Sequence, residues 1–259
     1  MKKIIAPLSV FICFFAFSAF AENDNVTRLK DALRKLEGKA PISAVYERNN
    51  TEISDADDKD DRKETTGSIS VSVAIDDAGL HITYPQLVLE TMELEAQAQA
   101  ADEEADTPTL NAVGSVNAKS FSYQLSAAKS ILRRIEKATF IEDENITYNG
   151  NPATVVRFSL PLESIITDAK TRSYVSKFEG IYSIIMDENG YPIQIDTEFN
   201  GKGRAFLVLS VKVKNSESSV FTVIDDRLVR LQHEYENEIQ SSFGDNVSIG
   251  KNTMKLSVD

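Results

Sequence analysis

The sequence predicts an α+β fold, mainly β: a large antiparallel sheet of about ten or eleven strands, apolar on one face and covered there by helices. Three observations lead to it. Ser68–Ile75 alternates strictly, with Ile69, Val71, Val73 and Ile75 on one side and serines and Ala74 on the other. The same period of two returns from Asn145 onward, punctuated by the turn-forming Asn149-Gly150 and Asp187-Glu188-Asn189-Gly190. Between these regions, residues 85–140 lose the alternation and gain Leu, Ala, Glu and Gln at helical spacing.

At the N-terminal end, Val26, Leu29, Leu33 and Leu36 predict an amphipathic helix over 25–37, stopped by Gly38 and Pro41. Ile42–Arg48 reads as the first strand, and the acidic run from Asp55 to Glu64 as the loop after it. Asp76-Asp77-Ala78-Gly79 turns the Ser68–Ile75 strand into Leu80–Tyr84. Within 85–140, Pro85–Ala105 reads as helix and Asp106–Gly114 as a break. Lys119–Lys137 follows as one amphipathic helix carrying Leu125, Ala128, Leu132 and Ile135. The sheet resumes with Ala153–Leu160, Gly180–Met186 and Tyr191–Phe199, then a turn at Asn200-Gly201-Lys202-Gly203 and the strand Ala205–Val213. Val220–Ile224, Leu228–Tyr235 and Met254–Val258 repeat the pattern more weakly. Residues 215–259 thus read as a β extension of a single domain over 22–259, with 85–140 as a helical insertion.

The first 21 residues have the form of a secretory signal peptide. Lys2 and Lys3 precede an apolar run from Ile4 to Phe20, and Ala19-Phe20-Ala21 supplies small residues at −3 and −1 for cleavage before Glu22. The run is short for a membrane span and is followed by acidic residues, so the mature chain is expected in the periplasm and not across a membrane. Cys13, the sole cysteine, lies in this segment, which leaves no thiol for disulfides or thiolate metal sites. Lys2 and Lys3 are its only charges, so the mature chain keeps 26 basic against 40 acidic residues, a net of −14. Such a surface repels nucleic acid and anionic lipid headgroups alike. An outer-membrane barrel is disfavoured by the absence of tryptophan, the Ser257-Val258-Asp259 end and the helical interruption.

The order of these parts resembles the LolA-like periplasmic proteins, the group of the LolA lipoprotein carrier. The resemblance lies in the segments PISAVYER, GSISVSVAIDDAGLHITYP, ITYNGNPATVVRFSL and YSIIMDENGYPIQIDTEF and covers most of 25–214 by pattern. It implies a curved sheet forming an incomplete barrel, with helices as a lid and acyl chains held inside. An arginine beside the GSISVSV hairpin matters in that group. Here Asp76 and Asp77 form the turn, and no arginine lies between Thr65 and Tyr84.

Motifs for chemistry are sparse. His81 and His233 fall on separate expected strands, and neither sits in an HxH or HExxH pattern, so each reads as a strand-surface histidine. Ser126-Ala127-Ala128-Lys129 has SxxK spacing without the SDN and KTG partners. Asp55–Asp61 has the acid density of a calcium loop but puts Lys59, Asp60 and Thr66 where ligand, glycine and glutamate belong, and reads as a solvated loop. Gly201-Lys202-Gly203-Arg204 joins strands and offers no helix N-terminus to a phosphate. Leu87, Met92 and Leu94 form a stripe suited to packing on the sheet. No cofactor or metal is implied.

The expected function is a non-enzymatic periplasmic binding protein, holding a lipid or lipoprotein acyl chain against Ile69, Val71, Val73, Tyr182, Ile184, Ile193 and Ile195. The alternative is an envelope protein–protein interaction or structural module in which the same residues fill a core. N-terminal sequencing of the chain recovered from the soluble periplasmic fraction should begin at Glu22. An intact Met1 on membrane-bound protein would contradict the export reading.

Overall fold

Side-chain acceptors and positive-φ residues set the hairpins from which the sheet grows. In the computed structural model, which describes residues 23–55, 62–166, 168–205, 209–242 and 244–257, Asn149 (φ 49°) and Gly150 (φ 83°) turn β4 (Thr139–Tyr148) into β5 (Asn151–Ser159). At the next hairpin, Asp187 accepts from the backbone N–H groups of Asn189 and Tyr191, each at 2.9 Å. Gly190, at φ 85°, then leads β6 (Val175–Met186) into β7 (Pro192–Ala205). Asp225 and Asp226, at φ 47° and 56°, form the two-residue turn between β8 (Leu209–Ile224) and β9 (Arg227–Ser241). Two consecutive positive-φ residues suit the right-handed twist of a hairpin, and aspartate tolerates that region better than most side chains.

The N-terminal part is a helix and three strands: α1 (Asp24–Lys35), β1 (Ile42–Ser54), β2 (Lys63–Asp76) and β3 (Gly79–Thr83). Asn23 caps α1 by accepting from the Asn25 and Val26 N–H groups, and Val26, Leu29, Ala32 and Leu33 are its buried face. The insertion holds α2 (Gln86–Ala101), α3 (Pro108–Val113), α4 (Ala118–Leu125) and α5 (Ala128–Ile135). The single helix expected over Lys119–Lys137 is broken because the Ala127 N–H donates to Leu228 O at 2.9 Å, tying the joint to β9. A 3₁₀ turn (Leu162–Ser164) and α6 (Ala169–Ser173) join β5 to β6, and β10 (Gly244–Leu256) ends the chain's regular structure.

All ten strands form one antiparallel sheet in the order β3-β2-β1-β10-β9-β8-β7-β6-β5-β4, which is not closed into a barrel. The segment 215–259 is therefore central rather than peripheral: β10 pairs with β1 from Ala44↔Leu256 to Ser54↔Asn246. Edge strand β4 carries Glu142, Asp143 and Glu144, charges that discourage edge-to-edge association. Residues 1–22, expected to hold a signal peptide with Cys13, and residues 56–61 of the acidic loop lie outside the described residues.

Other expectations change: the break expected over Asp106–Gly114 contains α3, and β8 runs without interruption from Leu209 to Ile224, where separate strands Ala205–Val213 and Val220–Ile224 are expected. Asn200–Gly203 is not a turn but the continuation of β7. There the Arg204 N–H donates to Tyr174 O at 2.8 Å, and a Cβ on Gly203 would stand 2.8 Å from that same carbonyl. The glycine serves close backbone approach. Ile193 was expected to share the face of Ile195. The register runs Ile184↔Ile195, Ile185↔Gln194, Met186↔Pro192, so Ile193 is the extra residue of a β-bulge and is only half-buried.

Helices cover one face of the sheet in two apolar clusters. One joins α1 and α5 to Val156, Phe158, Tyr182, Ile184, Ile195 and Leu228. The other joins α3 and α4 to Tyr46, Ile69, Val71, Val73, Val229 and Met254. Ile195→Asp should bury an unpaired carboxylate beneath α1 and α5 and cost roughly 3–5 kcal/mol. Urea unfolding checks this; an unchanged midpoint would mean that the strand faces are reversed.

Candidate functional site

Cross-strand register brings residues far apart in sequence into rows on the helix-covered face. One row reads Ile69–Arg48–Asn252–His233–Ser219–Ile195–Ile184–Val156, from β2 to β5. Its ends are apolar and its middle is polar. The next row reads Gly67–Asn50–Gly250–Tyr235–Glu217–Thr197–Tyr182–Phe158 and repeats the pattern. A polar band thus crosses β1, β10, β9 and β8 between the two apolar clusters.

Arginine–tyrosine pairs organise the band. Arg48 donates to Tyr235 Oη at 2.8 Å and to Asn252 Oδ1 at 3.3 Å. Arg230, on β9, places its guanidinium 4.7 Å from the Tyr123 ring centre, and Arg134, on α5, lies 5.3 Å from that of Tyr182. These are cation–π distances. None of the three arginines is ion-paired to a carboxylate among the described residues. Buried Arg48 Nε, Arg230 Nε, Asn50 Oδ1, Asn215 Oδ1 and Tyr182 Oη have no hydrogen-bond partner. Gly250 makes room for the Tyr235 ring, which a Cβ at that position would strike.

Burial and positive charge tune this band. Burial raises the Tyr123 and Tyr182 hydroxyls above the usual tyrosine range and lowers Arg230, which remains a cation. His233 is held down to about 3, first by burial and then by the neighbouring Arg230 and Arg48 charges. Its Nδ1 lies 3.1 Å from Ser219 Oγ and its ring stacks on Tyr235. A neutral imidazole with so low a basicity is a poor proton acceptor for a serine, so this pair does not read as a nucleophile and its base.

The second feature is an apolar cavity of about 350 Å³ beside the band, between the 162–174 segment and strands β6, β7 and β8. Leu162, Ile165, Ile166, Tyr174, Val175, Phe178, Phe199, Val211 and Val213 line it with Gly201 and Gly203, and Thr171, Lys202 and Arg204 are the polar exceptions. It adjoins the band directly, because Phe199 pairs with Asn215 across β7 and β8, two residues from Glu217.

The residues singled out in the sequence fall mostly elsewhere. Ile69, Val71, Val73, Tyr182, Ile184 and Ile195 are buried among the helices' side chains, and none of them, nor Ile193, lines this cavity. His81 lies 3.1 Å from Asp76 at an exposed hairpin. Ser126 ends α4 while Lys129 sits on α5, beside Arg34 and Lys39 at a surface cleft. Leu87 and Leu94 are 72% and 66% exposed, so that stripe does not pack on the sheet. Arg48, Arg230 and His233 were legible only as polar residues at strand positions whose alternation marks the covered face. Among the described residues no group of three or more His, Asp or Glu could hold a metal. Compared with protein-family models, curated proteins and solved structures, the chain matches none.

The histidine sets a pH dependence. The unfolded chain takes up a proton at His233 below its ordinary value of 6.5, while the folded protein resists until about 3. Its contribution is therefore intact above 6.5 and is lost as pH falls. That amounts to roughly 2–3 kcal/mol between pH 6.5 and about 4.5, above the range where most carboxylates titrate. Thermal unfolding across that interval should show the slope in the wild type, and His233→Gln should flatten it.

Proposed function

We propose that this protein is a non-enzymatic binding protein of the bacterial periplasm, LolA-like in design, that holds the alkyl tail of an amphiphile such as a lipid or lipoprotein acyl chain. The observation that supports the reading is the apolar cavity between the 162–174 segment and β6–β8. Its volume lies in the lower range of small-molecule sites, and its aliphatic and aromatic lining offers a tail little besides dispersion contact and release from water. Each methylene buried there contributes about 0.8 kcal/mol. The occupant would sit beside the packed core rather than within it, since the core residues once expected to line the site are covered by α1, α4 and α5.

The alternative, an interaction module of the envelope, draws on α2, which buries no residue and exposes Leu87, Leu89 and Leu94. A fluorescent dodecanoate probe separates the two readings. The wild type should bind it, and Val213→Phe with Val211→Phe should fill the cavity and abolish binding without lowering the melting temperature. Val71→Phe should instead overpack the core, cost roughly 1–3 kcal/mol and leave the probe bound. A wild type that takes up no alkyl probe would transfer the function to the interaction module.

A further inference from the structure

The polar band is a place where the sign of the protein's charge reverses. The mature chain carries a net of −14, yet three guanidinium groups, those of Arg48, Arg134 and Arg230, converge on the helix-covered face. Against them stands the carboxylate of Glu217, close enough to Arg230, Tyr123 and Tyr182 to influence all three. His233 stays neutral, so the band keeps an excess of positive charge. Tyrosine faces partly compensate the arginines, but ring quadrupoles leave guanidinium N–H groups without acceptors. Arg48 Nε and Arg230 Nε are buried in that condition. Arg48, Arg134, Arg230, Tyr235 and Glu217 are each half-buried rather than fully enclosed.

We infer that this arginine–tyrosine band is a binding site for an oxyanion, a phosphate or carboxylate, placed to hold the head of the amphiphile whose tail enters the adjoining cavity. The guanidinium fork matches such an anion in two directions at once, and the phenol of Tyr235 adds a further donor. Position supports the pairing of head and tail: Asn215 faces Phe199 of the cavity wall and lies two residues from Glu217 on β8. The net charge of the chain disfavours anions overall, and cations clustered elsewhere, such as Arg34, Lys39 and Lys129, are told apart from the band by the Arg48→Gln and Arg134→Gln variants. This placement of the head rests on the tail-binding reading; the anion site itself does not.

Ligands sharing one tail test it on the mature full chain: dodecyl phosphate, dodecyl maltoside and dodecyltrimethylammonium, with inorganic phosphate as the head alone. The wild type should bind dodecyl phosphate at least about tenfold more tightly than the cationic analogue, the scale of one charge-assisted hydrogen bond. Arg48→Gln and Arg134→Gln should each reduce that preference while leaving dodecyl maltoside unaffected. The second variant lies on a partly exposed helix, which keeps the test open if the first folds poorly. Glu217→Gln should tighten dodecyl phosphate, a gain that a merely structural role would not produce. Equal affinity for anionic and cationic heads would overturn the anion site and leave the cavity standing. Stabilisation by inorganic phosphate that depends on Arg48, without uptake of any dodecyl ligand, would identify free phosphate as the occupant and remove the tail reading instead.

Discussion

The ladder between β1 and β10 joins two halves that would otherwise be separate. Strands β4 to β10 form one continuous meander, each paired with its sequence neighbour, while β1 to β3 form a small sheet of their own. Only the β1–β10 pairing, from Ala44↔Leu256 to Ser54↔Asn246, makes them one sheet by hydrogen bonds. Closing so long a loop costs chain entropy, and contacts of this range form late and slowly. The apolar cluster of Ala44, Tyr46, Val71, Val73, Val229 and Met254 under α3 and α4 lies across that seam and offsets the cost. Arg48 and Asn252 face each other across the same ladder, so the polar band exists only once it has closed.

Placing the arginines there runs against the usual economy of a sheet's covered face. Taking a guanidinium out of water is unfavourable unless its donors are satisfied, and apolar residues would pack the same positions without that penalty. The two apolar clusters flank the band and supply the stability that it does not. This division between parts that hold the molecule together and a part that is locally frustrated is common at binding sites. The low basicity of His233 is a symptom of the same crowding of positive charge.

Local rules in the sequence carried most of the elements. The spacing of Val26, Leu29 and Leu33 located α1, and strict alternation located the buried face of β2. Tertiary contacts decided the rest. Nothing between Lys119 and Lys137 announces a break, because the break depends on a carbonyl of Leu228 a hundred residues away. Gly201 and Gly203 looked like turn residues, yet Gly203 serves the approach of the Tyr174 backbone and both line the cavity beside it. The central place of β10 was hidden because partner choice leaves no mark on a single strand. The site was least legible of all. Its arginines come from β1, α5 and β9, and only the register puts them together.

The helices are short against the strands they cover. Strands β8 and β9 have 16 and 15 residues, which at about 3.3 Å per residue gives roughly 50 Å. Helices α4 and α5 have eight residues each, only about 12 Å at 1.5 Å per residue. No one of these helices spans the face, which is covered piecewise by α1, α3, α4 and α5. Ile184 and Ile195 are buried beneath α1 and α5, and Val71 and Val73 beneath α3 and α4. Along the strands, the next rows hold Asn50, Tyr235, Glu217 and Thr197, then Asn237, Asn215 and Phe199, of which Asn50, Thr197 and Asn215 are buried polar residues. Tyr235, Glu217 and Asn237 are half-buried in these rows, and the 162–174 segment shelters the β6–β8 corner, where the lining turns apolar again. The face thus passes from apolar core through a charged band to a sheltered apolar corner, and the proposed head and tail sites rest on the last two.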